Sequence, residues 1–252
     1  MNSAGAASVK GGGELCLALC SATRIASVAL LAGDKLVVER AAETDRQQAE
    51  SLLPLIDRVL QESEIRIDDL AAIALSIGPG SFTNLRIGVA TVKGLVLGTR
   101  VKVIPISTLQ ALAEASSDTA AVVVGALNAQ RGEVYAAGFA GSDQGFAPRE
   151  DVLPELVYSA DELAERLPSG CRIVGDGALI VAERLRELRS DEIRCNLDEV
   201  LEPSASSIGR LALSHLAAGK DVAASALAPR YVRRAEAEVS RTAERFEPPS
   251  GV

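Results

Sequence analysis

Aromatic residues are scarce in this chain: 252 residues include no tryptophan, three tyrosines and four phenylalanines. A platform that stacks successive nucleic-acid bases is hard to build from so few rings, and the core must come from Ala, Leu, Val and Ile. Basic charge is short as well. Lys and Arg number 26 against 34 Asp and Glu, a net charge of −8 with a pI near 4.9. That balance speaks against an autonomous nucleic-acid binder; a polyanion would have to meet a local basic patch or be held by a partner. The single histidine, His215, excludes a two-His metal site and the HExxH motif, and no GxSxG nucleophile elbow occurs. No run of about 18 apolar residues is present, so no membrane span is expected. Residues 1–13 are small and Gly-rich, without the apolar stretch of a secretory signal, and read as a flexible tail. The four cysteines, Cys16, Cys20, Cys171 and Cys195, form no CxxC pair. Buried, reduced thiols and a cytoplasmic location are the expectation.

What is present is an average globular mixture, 48% hydrophobic and 24% charged, enough for a core in one large or two modest domains. Short apolar runs at 15–20, 26–31 and 35–40, joined by tight turns, read as an antiparallel meander. Residues 46–62 carry Leu52, Leu55, Ile56, Val59 and Leu60 at helical spacing, with Pro54 predicting a kink or a helix that begins near it. A strand at 71–77, a helix at 85–97, a strand at 102–105 and a helix at 108–115 capped by Ser107 complete a β-β-β-α-β-α-β-α series. The second half restarts with strands at 120–127 and 133–139, a loop at 141–145 and a weak strand at 152–156. Helix 161–167, strand 172–175 and helices 178–189 and 204–218 follow. Two related α/β subdomains are therefore expected, divided near 116–119.

Several segments are candidates for function. Gly78, Gly80 and Ser81 form a sharp turn between a strand and a helix, where backbone amides can approach an anion. Without a Gly-Lys-Ser/Thr ending it is not a P-loop; the alternative is a structural turn. Gly175, Asp176 and Gly177 occupy a similar strand-to-helix position, where a polar turn is again the alternative. Ile87, Ala90, Thr91, Gly94 and Gly98 fall on one helical face made almost wholly of small residues. Such a face lets another helix come close, whether of this chain or of another subunit. Arg230, Arg233, Arg234, Arg241 and Arg245 form a charged cluster, read either as a solvated face or as a contact for RNA or an acidic surface. His215, among Leu and Ala, reads as a structural helical histidine.

Together these pieces resemble one family. Residues 77–93, IGPGSFTNLRIGVATVK, resemble the signature of TsaB (also called YeaZ), the paralogue of TsaD in bacterial tRNA threonylcarbamoyladenosine synthesis. Residues 105–109 and 127–135 (LNAQRGEVY, beside the family's Met-Asp-Ala-Arg-Arg-Gly-Glu-Val-Tyr) follow in order, as do 175–178 and 229–233. The resemblance covers about residues 14–236. It implies an actin-like (ASKHA, ribonuclease H-like) fold of two mixed-sheet subdomains, 14–116 and 117–236, with flexible tails at 1–13 and 237–252. It also implies a non-catalytic partner of TsaD, with TsaE joining the pair, acting on the adenosine next to the anticodon of tRNA. The resemblance assigns the dimer surface to helices 46–62 and 85–97, hence to Leu52, Leu53, Ile56, Ile87, Ala90, Thr91, Gly94 and Gly98. Where TsaD is absent, this small face left exposed would favour a homodimer. No catalytic residue, metal ligand or cofactor of its own is expected; ATP and a divalent metal belong to the partners.

The chain departs from the family pattern in places. Cys20 stands where an Asp is common at the end of the first strand, and Asn128 replaces another Asp. Gln48 and Ala49 replace His-Ser, and Asn84 replaces a Gly in a turn expected to tolerate positive φ. Loss of two acidic positions weakens the case for a magnesium nucleotide. An independent ASKHA ATPase or phosphotransferase, with Asp176 as its remaining carboxylate, stays the alternative, and a peptidase is a weaker third reading.

Overall fold

The computed structural model describes residues 13–42, 48–116, 120–142, 145–188, 193–195 and 200–233. The first sheet comprises β1 (Leu15–Cys20), β2 (Ser27–Ala32), β3 (Lys35–Ala41), β4 (Ala72–Gly78) and β5 (Lys102–Ser107), ordered β3-β2-β1-β4-β5. The second comprises β6 (Val123–Asn128), β7 (Glu133–Ser142), β8 (Gly145–Pro148), β9 (Leu156–Ser159), β10 (Arg172–Val174) and β11 (Arg194–Cys195), ordered β11-β10-β6-β7-β8 with β9 also on β7. Each sheet thus has an antiparallel meander on one side of its first strand and parallel strands on the other. This repeated order is that of the actin-like ASKHA fold, as expected.

The alternation of side-chain size along β1 decides which helices cover which face. Leu15, Leu17 and Leu19 point into a cluster with α1 (Gln48–Ser63) and α2 (Phe82–Leu95). Cys16, Ala18 and Cys20 point the other way, against α6 (Ala205–Ala217), because successive side chains on a strand face opposite sides. The small face lets α6 lie close. At Gly209 an added Cβ would come within 2.1 Å of Leu31 Cδ1. Gly125 serves the second sheet in the same way, with Leu109 O only 2.6 Å from where its Cβ would be.

That second close approach belongs to α3 (Thr108–Ser116), which follows the first sheet yet buries Leu109, Leu112 and Ala113 with Val123 and Phe139 of the second. Conversely α6, inside the span 117–236, packs on the first sheet. Each half of the chain therefore lends its last helix to the other half's sheet, and α3 and α6 touch each other. On its far face the second sheet carries α4 (Ala160–Arg166) and α5 (Gly177–Leu188).

Local expectations hold at several points. Ser107 Oγ accepts from the Gln110 N–H at 3.4 Å at the head of α3; Ser204, expected as the first residue of the last helix, is instead its cap, Oγ accepting from the Ser207 N–H at 3.1 Å. Other points differ. Pro54 lies inside α1, which starts at Gln48. The third strand of the second half is not at 152–156 but is split into β8 and β9, which share the 10-residue β7, with a turn at Leu153 N–H to Arg149 O between them. Strand β11 was not anticipated; two residues are too few to show a period. Residues 1–12 and 234–252 lie outside the described residues, and with them nearly all of the tails expected at 1–13 and 237–252 and the arginines Arg234, Arg241 and Arg245. Among the described residues no helix is long and apolar enough to cross a membrane.

Candidate functional site

The strand ends β1, β4, β6 and β10 converge on a cleft of about 710 Å³ between the lobes. Gly80, Ser81, Asn84, Asn128, Asp176 and Arg230 are among its walls. Of the residues proposed for nucleotide contact, Gly80, Ser81 and Asp176 reach this cleft. Gly78, Gly175 and Gly177 do not line it, and their lack of a side chain serves internal packing. A Cβ at Gly78 would meet Arg230 O at 2.4 Å, one at Gly175 would meet Ala126 O at 2.2 Å, and one at Gly177 would meet Val134 Cγ1 at 2.7 Å. Even in the turn itself the Ser81 N–H is used internally, donating to Ala22 O at 2.8 Å. Asn84 sits in the first turn of α2 rather than in a left-handed turn, and its Nδ2 donates to Thr23 O at 3.2 Å.

Two carboxylates, Asp176 and Glu202, line the cleft, and the strand end where the family pattern has an Asp carries a thiol instead. At the end of β1 the Cys20 thiol is fully buried and donates to Pro203 O at 3.3 Å, and burial pushes it up to about 11. Asp176 Oδ1 accepts from the Asn128 N–H at 2.8 Å, while Asn128 Oδ1 accepts from the Gln130 N–H at 2.7 Å. These bonds organise the wall of the second lobe. Among the described residues no group of three or more His, Cys, Asp or Glu is placed to hold a metal ion.

Residues 229–233 run along the cleft and touch both lobes. The Arg230 N–H donates to Ile77 O at 2.7 Å, and the Tyr231 ring stacks on Phe82 with centroids 4.6 Å apart. Arg86 Nε donates to the Tyr231 hydroxyl at 2.9 Å, and its guanidinium lies 3.8 Å over the Phe82 ring. On the second lobe Arg230 Nε pairs with Glu155 at 3.4 Å, and Arg233 donates to Ala129 O at 2.8 Å and pairs with Glu133. Glu155 and Phe82 were missed in the sequence, where nothing marks residues that meet across more than 70 positions.

The second candidate surface is the outer face of α1 and α2. Leu52 and Ile56, at 1% and 2% exposure, belong to the protein's own core and are not available to a partner. Leu53, one position off the core stripe, is 53% exposed. On α2, Ala90 and Gly94 are exposed and Thr91 and Ile87 half-buried, with nothing within 4 Å of a Cβ built at Gly94. Gly98 is not on that helical face: α2 ends at Leu95, and Gly98 lies in the following turn at φ +78°. Leu97, 84% exposed, stands there instead. The face is thus smaller than the sequence suggested, but it is apolar, small in side chain and open.

His215 is half-buried in α6, and burial depresses its imidazole pKa. Cys16, Cys20 and Cys171 are buried free thiols.

A family model for TsaD, tRNA N6-adenosine threonylcarbamoyltransferase, matches residues 42–240. The tRNA threonylcarbamoyladenosine biosynthesis protein TsaB of Escherichia coli K12 is 31% identical over 223 residues, covering 86% of this chain and 94% of that protein. The chain belongs to the TsaB (YeaZ) family. The TsaB of Haemophilus influenzae is 40% identical over 122 residues, 47% of this chain and 51% of that protein. The solved structure of YeaZ from Pseudomonas aeruginosa superposes with a TM-score of 0.75 at 26% identity, covering 86% of this chain and 99% of that one. Within this TsaB-type chain the family-like segment 77–93 forms the end of β4, the cleft turn and most of α2. One stretch therefore supplies both the cleft rim and the open helical face.

Proposed function

We propose that this chain acts in tRNA threonylcarbamoyladenosine biosynthesis as a non-catalytic partner of TsaD, with TsaE joining the pair and tRNA reached through the complex. The observation that carries the reading is near full-length similarity to TsaB of Escherichia coli, combined with an open small-residue face at Ala90, Thr91 and Gly94. A helix without bulky side chains lets a partner helix approach backbone to backbone, gaining dispersion contact over its length. The docking surface is then α2 with Leu53 of α1, and the same surface forms a homodimer when TsaD is absent. The reading needs no nucleotide or metal of its own. The packed glycines of both turns and the buried thiol at Cys20 support that absence.

The test is to mix the purified chain with TsaD from the same organism and measure mass by size-exclusion chromatography with light scattering. A stoichiometric complex that is lost in Gly94→Leu supports the assignment. Two folded proteins that do not associate would overturn it.

A further inference from the structure

The cleft has two walls on two lobes, and packed helices such as α3 and α6 are the kind of element along which lobes slide in shear. A ligand touching both walls would tie them together. Here a segment of the chain already does so. We infer that residues 229–233 are a strap that holds the cleft at one opening, so that the chain itself ties the two lobes.

The anchors alternate between walls within four residues. Arg230 is fixed to the first lobe by its backbone, through the N–H bond to Ile77 O at 2.7 Å. Its carbonyl lies so close to Gly78 that a Cβ there would come within 2.4 Å of it. The glycine at φ +130° is required by this approach. The side chain of the same Arg230 reaches the other lobe, to Glu155. Tyr231 returns to the first lobe, stacked on Phe82 and hydrogen-bonded by Arg86. Arg233 crosses again to the second, to Ala129 O and Glu133, with its guanidinium 6.0 Å from the Tyr135 ring centre.

Glu155 ties a further element into the junction. Its side chain is 8% exposed, and its Oε2 accepts from Ser107 Oγ at 2.9 Å, at the point where β5 of the first lobe passes into α3. A carboxylate so buried needs a cation and a donor to stay ionised, and the two it has come from the strap and from the opposite lobe. Burial raises its pKa; Arg230 and Ser107 oppose that, and Glu150 adds to it. Opening the cleft would part Glu155 from Ser107 and pull the strap from one wall. The cost falls on a carboxyl group that is itself buried, 8% exposed, although its Arg230 partner is 43% exposed.

Hydrogen exchange read by mass spectrometry on the full chain tests the strap through its effect across the cleft. Tyr231→Ala removes a first-lobe anchor, and Arg233→Ala removes the second-lobe anchors to Ala129 O and Glu133. Each is expected to speed amide exchange at least ten-fold on both walls, at residues 77–86 and 128–135, while β1 and β2 keep their protection. Acceleration confined to the wall that lost its anchor would mean local contacts only and would overturn the inference. So would an equal acceleration in β1, which would report loss of global stability. Should Arg233→Ala fail to fold, Tyr231→Ala and Tyr231→Phe give the same two-wall reading, the latter deleting only the Arg86 bond and expected to show a smaller effect in the same segments.

Discussion

The Cys20 thiol donates to the Pro203 carbonyl at 3.3 Å, so the last residue of β1 is held against the segment that caps α6. An ionised side chain at this fully buried site would be desolvated and would have the Pro203 carbonyl oxygen as a neighbour. Cys20→Asp is therefore expected to lower stability by about 3 kcal/mol or more, whereas Cys20→Ser, which keeps a donor, is milder. Denaturant titration separates the two; an aspartate tolerated at no cost would show that water reaches this strand end.

The thiols also predict how stability changes with pH. Burial pushes Cys16 up to about 12 and Cys20 up to about 11 from an ordinary value of 9.0. The folded state keeps protons that the unfolded state releases above pH 9, so stability falls as pH rises. The fall is about 1.4 kcal/mol per pH unit for each thiol until the folded-state value is passed. Between pH 9 and pH 11 a Cys16→Ala/Cys20→Ala variant should show a shallower decline than the wild type. At pH 8, iodoacetamide followed by peptide mapping should leave both residues unlabelled until denaturant is added.

Two neighbouring leucines should behave as opposites. Leu52→Ala, in the core under α1, should cost about 2–5 kcal/mol. Leu53→Ala should change stability by less than about 1 kcal/mol but weaken association. Paired thermal melts and light scattering check this, and a large melt shift for Leu53→Ala would remove it from the docking face.

Glycines divide in the same way. Gly94→Ala meets nothing within 4 Å and should stabilise the free chain by up to about 1 kcal/mol through helix propensity. Gly125→Ala drives a methyl to 2.6 Å from Leu109 O, a backbone atom that cannot rotate aside, and should destabilise by about 1–3 kcal/mol. Melting temperatures moving in the same direction would contradict the close approach of α3.

Calorimetry with magnesium ATP should give no binding heat with the wild-type chain. Binding heat that disappeared in Asp176→Ala would place a nucleotide on the second-lobe wall and revive the ATPase reading.

Much of the fold was legible because strands and helices here carry strong periods. The six residues of β1 were read with their boundaries, and the cap Ser107 was visible as a polar residue ahead of an apolar stripe, whereas Ser204 was counted into the helix that it caps. The stripe Leu52, Leu55, Ile56, Val59 was also correct as a helix face; the error lay in assigning part of it to a partner. A stripe at that spacing is first of all the core face, and Leu53 is the residue that departs from it. Gly98 was placed on the α2 face by counting past the helix end, which local spacing does not mark.

The sequence by itself determined the two repeated α/β series, the family and the small-residue face, because each rests on patterns local to a few turns or strands. Tertiary structure alone decided that α3 and α6 exchange lobes, that the glycines of both turns serve packing, and that residues 229–233 bridge the cleft. Those outcomes depend on contacts such as Tyr231 with Phe82 and Arg230 with Glu155. Such pairs are separated by 149 and 75 positions respectively. Burial and partnership at that range are set by how the sheets pack, and no residue carries the sign of it in its neighbours along the chain.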